Sequence, residues 1–240
     1  MKTIFFLISI LFLTSDSISN KNEVEFILKN EAVYFVDIDR DFENYVDTIQ
    51  SDKAFNLIEL QIKNNSNRKL LLFINPNNLT LYRGKYFGYG PIIENGKERL
   101  KVSSVLSTFI DTPEGLYNQE QYETDLRNRK YKSLGLTEKE MGTYNDYENY
   151  SMNLGPKESK TVYFSISLPI IKESEPKIDQ SYVRFRKLEE GLNFKFCYEA
   201  NANAIYNDLP LFLKEELKNN DVQILDGFFF SNIVKLKKKS

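Results

Sequence analysis

Between Phe55 and Ile74 the chain alternates as a half-buried strand must. Ile58, Leu60 and Ile62 are apolar while Glu59, Gln61 and Lys63 are polar, the two-residue period of a strand with one wet face. Asn64-Asn65-Ser66-Asn67 follows, residue types that accept left-handed backbone and bond to it locally. Leu70, Leu72 and Ile74 return as a second run, with Leu71 and Phe73 apolar as well. The pattern predicts a β-hairpin over 55–74 whose second strand, apolar on both faces, lies in the middle of a sheet.

The same period recurs along the chain. Val24, Phe26, Leu28, Ala32, Tyr34, Val36 and Ile38 form an even-numbered apolar series interrupted at Asn30, which predicts two short strands or one bent strand. Asn75-Pro76-Asn77-Asn78 is a turn with a short strand after it, and the four glycines of 84–96 predict an irregular loop. Leu100–Ile110 is a further strand candidate. Val162, Phe164, Ile166 and Leu168 predict another strand, as do Leu192, Phe194, Phe196 and Tyr198.

Alternation stops between Asp111 and Asn149. Tyr122 and Leu126 stand one helical turn apart, and Thr137-Glu138-Lys139-Glu140 fits a capping box, so 111–149 is expected as a helical insertion. A short helix near 208–219 is expected from Asn207 or Asp208 as cap, Pro210 in the first turn and a stripe of Leu209, Phe212, Leu213 and Leu217. Asp226-Gly227 predicts a turn or bulge between Ile224 and Phe228. The expected fold is mainly β: an antiparallel β-sandwich, loosely immunoglobulin-like in strand order, with both helical pieces added. The chain has no Trp and no Cys pair, and Lys195 stands where a tyrosine corner would precede Cys197, so no family follows from the pattern.

Composition narrows the function classes. The chain has 240 residues, a formal net charge of −2 and no His. Without His there is no Ser-His-Asp or Cys-His nucleophile and no usual nitrogen ligand for catalytic zinc. A near-neutral balance does not predict nucleic-acid binding. Lys2 followed by the apolar run Ile4–Leu13, with Ser17-Ile18-Ser19 after it, predicts a signal peptide over 1–19 and a single domain over 20–240. The run is too short for a transmembrane span. Cys197 is the only cysteine, and an exported Lys-, Asn- and Ile-rich chain without disulfides is expected in a bacterial periplasm or cell exterior. Sequons occur at Asn64, Asn78 and Asn149.

Candidate chemistry is sparse. Asp37, Asp39 and Asp41 form a weak calcium-like run, but Phe42 and Thr48 stand where an EF-hand requires Gly and Glu. Tyr82, Tyr86, Phe87 and Tyr89, with Tyr144, Tyr147 and Tyr150, are candidates for an aromatic contact surface. Asp111, Glu114, Glu120, Glu123 and Asp125 supply carboxylates of the kind glycoside hydrolysis uses in pairs. The expectation is an exported, non-catalytic binding or assembly module of the bacterial cell envelope, with an envelope protein or glycan as partner and no cofactor. The alternatives are a carboxylate-dependent glycan-active enzyme and a calcium-stabilised adhesive domain.

Overall fold

The structure is a computed structural model that describes residues 23–35, 55–76, 79, 82–95, 98–100, 113–168 and 188–239. The predicted signal peptide and Asp37, Asp39 and Asp41 lie outside the described residues, as does all but the start of the 100–110 strand candidate. In order, the elements are β1 (Val24–Leu28), β2 (Ala32–Phe35), β3 (Phe55–Asn64), β4 (Lys69–Phe73), β5 (Tyr82–Arg83), β6 (Phe87–Asn95), β7 (Glu98–Leu100), α1 (Pro113–Ser133) and α2 (Glu138–Tyr150). There follow β8 (Ser151–Leu154), β9 (Ser159–Ser167), β10 (Asn193–Ala200), α3 (Ala202–Asp208), α4 (Leu211–Asn219), β11 (Val222–Ile224), β12 (Gly227–Phe230) and β13 (Val234–Lys238). The fold is mainly β. One sheet runs β1-β3-β9, a second β2-β13-β10-β6-β5 with β12 on β10 and β7 on β6, and a third β11-β4-β8.

Alternation places the core. Ile58, Leu60 and Ile62 of β3 and Phe194, Phe196 and Tyr198 of β10 are all fully buried, each worth about 1.5–3 kcal/mol for its side chain. Apolar side chains of all three sheets join one cluster. Phe26 of β1 stacks on Phe196 and Tyr198 of β10 at 6.0 and 5.6 Å, and Phe164 of β9 meets Phe196 at 6.0 Å.

Several expectations are corrected. The 55–74 segment is not a hairpin: β3 pairs with β1 and β9, whereas β4 pairs with β8 and β11. Leu70, Leu71, Leu72 and Phe73 are all buried, so β4 needs cover on both faces. That cover comes from the core cluster and from Tyr147 of α2 on Phe73, and β4 is the middle strand of its own sheet, as its composition predicted. The sheets are not purely antiparallel, because β11–β4 and β13–β2 are parallel pairs. The expected glycine-rich loop is mostly β6, paired with β10 from Phe87↔Ala200 to Glu94↔Asn193. Glycine serves here as a spacer, since a Cβ on Gly88 would meet Glu199 Oε1 at 3.0 Å and the Tyr82 carbonyl oxygen at 3.1 Å.

The 111–149 insertion is helical, and Thr137 and Glu140 make the reciprocal capping box of α2. The helix expected near 208–219 is present as α4, with Leu213 and Leu217 buried as the stripe required, and a further short helix, α3, precedes it. Asn201 caps α3 and the chain breaks at Leu209-Pro210 before α4; proline lacks the N–H that would continue α3. Asp208 therefore caps nothing. Gly227 (φ +109°) takes the chain from β11 to β12 in another sheet, not round a hairpin.

Where strands change sheets, asparagine side chains replace missing peptide partners. Asn56 accepts from the Tyr34 N–H at 2.7 Å and donates to the Tyr34 carbonyl at 2.7 Å. Asn30 does the same across Glu59 N and Leu57 O, and Asn232 across both groups of Leu28. Asn64, fully buried, donates to Arg68 O at 2.7 Å and Gly155 O at 2.8 Å while accepting from Ser66. A primary amide has the donor and acceptor geometry of a peptide, so it satisfies backbone groups that no strand reaches.

A candidate contact surface on the helical insertion

α2 lies against the sheets through an aromatic seam. Tyr82 stacks on Phe87 and Tyr89 at 5.0 and 5.6 Å and meets Tyr150 at 4.5 Å, while Tyr147 meets Phe73 edge-on at 6.5 Å. Phe87 and Tyr89 are buried at 3% and 2% exposure. Tyr82, Tyr86, Tyr144, Tyr147 and Tyr150 are partly buried against the core. The structure thus brings the predicted aromatic residues together, but as the joint between insertion and sheets. Burial pushes the Tyr89 hydroxyl up to about 12, and the same cause raises Tyr82 and the half-buried Asp146 beside it.

A polar latch closes one end of this seam. Asp208, at the end of α3 and 3% exposed, receives the Tyr86 hydroxyl and the Lys139 ammonium (2.7 Å), with Lys85 at 3.8 Å. Burial alone would raise its carboxyl, but hydrogen bonds from Lys139 and Tyr86 and the two lysine charges hold it below the usual carboxylate range. The sequence offers this residue as a helix cap, and nothing local distinguishes the two roles.

α1 is held differently. It has 21 residues, about 30 Å of helix. Among its described side chains, Tyr131 is the buried one. Its ring meets Tyr144 edge-on at 5.3 Å and its hydroxyl donates to Glu148 Oε2 at 3.0 Å. Lys130 Nζ lies 2.6 Å from Glu148 Oε1. For Glu148, burial raises the carboxyl, but hydrogen bonds from Lys130, Tyr131 and Tyr144 outweigh it and lower it. Upstream, Tyr122 and Leu126 are 68% and 56% exposed. A groove of about 700 Å³ between α1 and α2 is lined by Leu126, Arg127, Arg129, Asn145 and Asn149, among others.

The other candidates disperse. Glu114, Glu120, Glu123 and Asp125 share α1, and Asp111 lies outside the described residues. Among the described residues no group of three or more His, Cys, Asp or Glu is placed to hold a metal ion, and no helix is long and apolar enough to cross a membrane. Cys197 is half-buried on β10. At the Asn64 sequon the side chain is fully buried and bonded in the folded chain. Asn149 is exposed, and Asn78 lies outside the described residues. Comparison with protein-family models, curated proteins and solved structures gave no match for this chain.

Proposed function

We infer that the chain is an exported, non-catalytic binding or assembly module of the bacterial cell envelope, and that the α1–α2 insertion is its contact element. The supporting observation is the lopsided anchoring of α1: tied down at Tyr131 and Lys130, it carries exposed Tyr122 and Leu126 on the preceding turns. Large apolar side chains on a projecting helix are costly to leave in water and suit an anchor-in-pocket contact. The signal-peptide pattern over 1–19 supports export, and the lack of His supports a non-catalytic role. In this reading the three sheets form a loosely immunoglobulin-like β-sandwich framework that holds the insertion, and the partner is an envelope protein. The test is affinity capture from the envelope fraction with wild type and with Tyr122→Ser/Leu126→Ser. A partner retained by wild type and lost by the equally stable double variant is expected. Capture that is indifferent to both substitutions refutes the assignment of the surface.

A further inference from the structure

A second cleft lies away from the α1–α2 groove and has different chemistry. It occupies about 350 Å³ and is lined by Lys69, Tyr147, Asn153, Glu216, Leu217 and Val222, with Leu154, Gly155 and Asn220 completing it. Its volume falls within the ordinary range for small-ligand sites.

The cleft follows from how the third sheet is covered. In the β11-β4-β8 register Val222 lies opposite Lys69 and Asn153 opposite Leu71, so alternation puts Lys69, Leu71, Phe73, Asn153 and Val222 on one face. Tyr147 of α2 covers Phe73, and α4, with Leu213 and Leu217 buried, leads directly into β11. The two helices leave the Lys69–Asn153 end of that face open between them.

The walls are held in place by the fold. Lys69 Nζ donates to the Asn220 carbonyl at 3.1 Å, and Asn220 in turn donates through its N–H and side-chain amide to Glu216 O at 3.0 and 2.9 Å. Leu217 is buried, and Val222 and Tyr147 are partly buried against the core, so these three form an apolar floor. Burial first, then the nearby Glu216 charge, raises the Tyr147 hydroxyl, and both residues line the cleft. No hydrogen bond or ion pair among the described residues uses the Glu216 carboxylate, the Asn153 amide or the Tyr147 hydroxyl. In the larger α1–α2 groove, by contrast, Glu148 is already satisfied by Lys130 and Tyr131.

We propose that this cleft binds a single polyhydroxylated ring of pyranose size. Such a ring has one face of C–H groups for the Val222, Leu217 and Tyr147 surfaces. Its equatorial hydroxyls both donate and accept, which matches an acceptor-only carboxylate, an amide and a donor-only ammonium around one rim. A simple anion would meet Glu216, and a simple cation would meet Lys69.

The test is saturation-transfer and amide-shift NMR of the mature protein with glucose, galactose and N-acetylglucosamine, and with glycerol as control. At least one sugar is expected to receive saturation at its ring C–H groups and to shift amides confined to Leu154, Gly155, Leu217 and Val222. Glu216→Gln and Asn153→Ala, both at exposed positions, are expected to weaken binding by about tenfold each without changing the melting temperature. Tyr122→Ser/Leu126→Ser is expected to bind the sugar normally, which separates this site from the α1 contact surface. No response to any of the three sugars at tens of millimolar, equal shifts with glycerol, or unchanged affinity in both cleft variants overturns the proposal.

Discussion

Asn64→Asp changes one NH2 group into an oxygen and removes the two donors that tie β3 to the turns beside it. Asn64 Nδ2 reaches Arg68 O at 2.7 Å and Gly155 O at 2.8 Å, and the residue is fully buried. Each lost hydrogen bond costs about 0.5–1.5 kcal/mol, and each buried carbonyl left without a donor brings the total toward the upper end. A carboxylate aimed at two carbonyl oxygens adds repulsion and desolvation. The total is about 3–4 kcal/mol at neutral pH, or roughly 6–16 °C in melting temperature for a chain of this size. The two acceptor bonds from Ser66 survive, since Oδ1 is retained. The introduced carboxyl has its folded-state pKa raised above the unfolded one. Its penalty relative to wild type is therefore full at high pH and shrinks as pH falls through the raised value, where the protonated form regains one donor. Urea unfolding at pH 7.5 and pH 5 measures this, with Asn65→Asp in the same turn as the charge-matched control. If the two variants differ by less than about 0.5 kcal/mol at pH 7.5, the peptide-mimic account of the sheet corners is wrong.

The Asp208 latch makes an opposite pH prediction. Its folded carboxyl is held low by Lys139, Tyr86 and Lys85 against burial, so the stability it gives is present above the ordinary carboxylate pKa and lost as pH falls through the depressed value. Asp208→Asn is expected to melt roughly 5 °C below wild type at pH 7, with the gap closing in acid; a gap that is constant with pH counts against the latch. Asp146 is raised by burial, so its protonated form favours the fold at low pH and that contribution is lost as pH rises through the raised value. Asp146→Asn, which keeps an acceptor for Tyr82, is expected to be neutral or stabilising at pH 7 by thermal melts, and clear destabilisation refutes the reading. Gly88→Ala places a methyl 3.1 Å from the Tyr82 carbonyl oxygen. It is expected to cost about 1–3 kcal/mol in chemical unfolding, while Gly142→Ala, with open space around it inside α2, is the unclashed comparison and is expected to stabilise by about 0.5–1 kcal/mol.

Two-residue periodicity was enough to say which side of each strand is buried. Ile58, Leu60, Ile62, Phe194, Phe196 and Tyr198 are inside as their spacing required, and Thr137 with Glu140 marked the start of α2 by chemistry confined to four residues. These features are local: they depend on backbone geometry and on neighbours within one turn or one strand. Strand partners are not local. Nothing in Leu70–Phe73 says that Val222–Ile224 will lie parallel beside it, or that Phe55–Asn64 will pair elsewhere, because an alternating strand offers equivalent backbone edges to any other. The choice is made by which faces can be covered together, and that is a property of the whole packed chain. The same limit hid the contact chemistry. Tyr82, Phe87 and Tyr89 read as exposed anchors until α2 lies over them, and Glu216 and Asn153 become neighbours only once α4 and β8 border the same sheet.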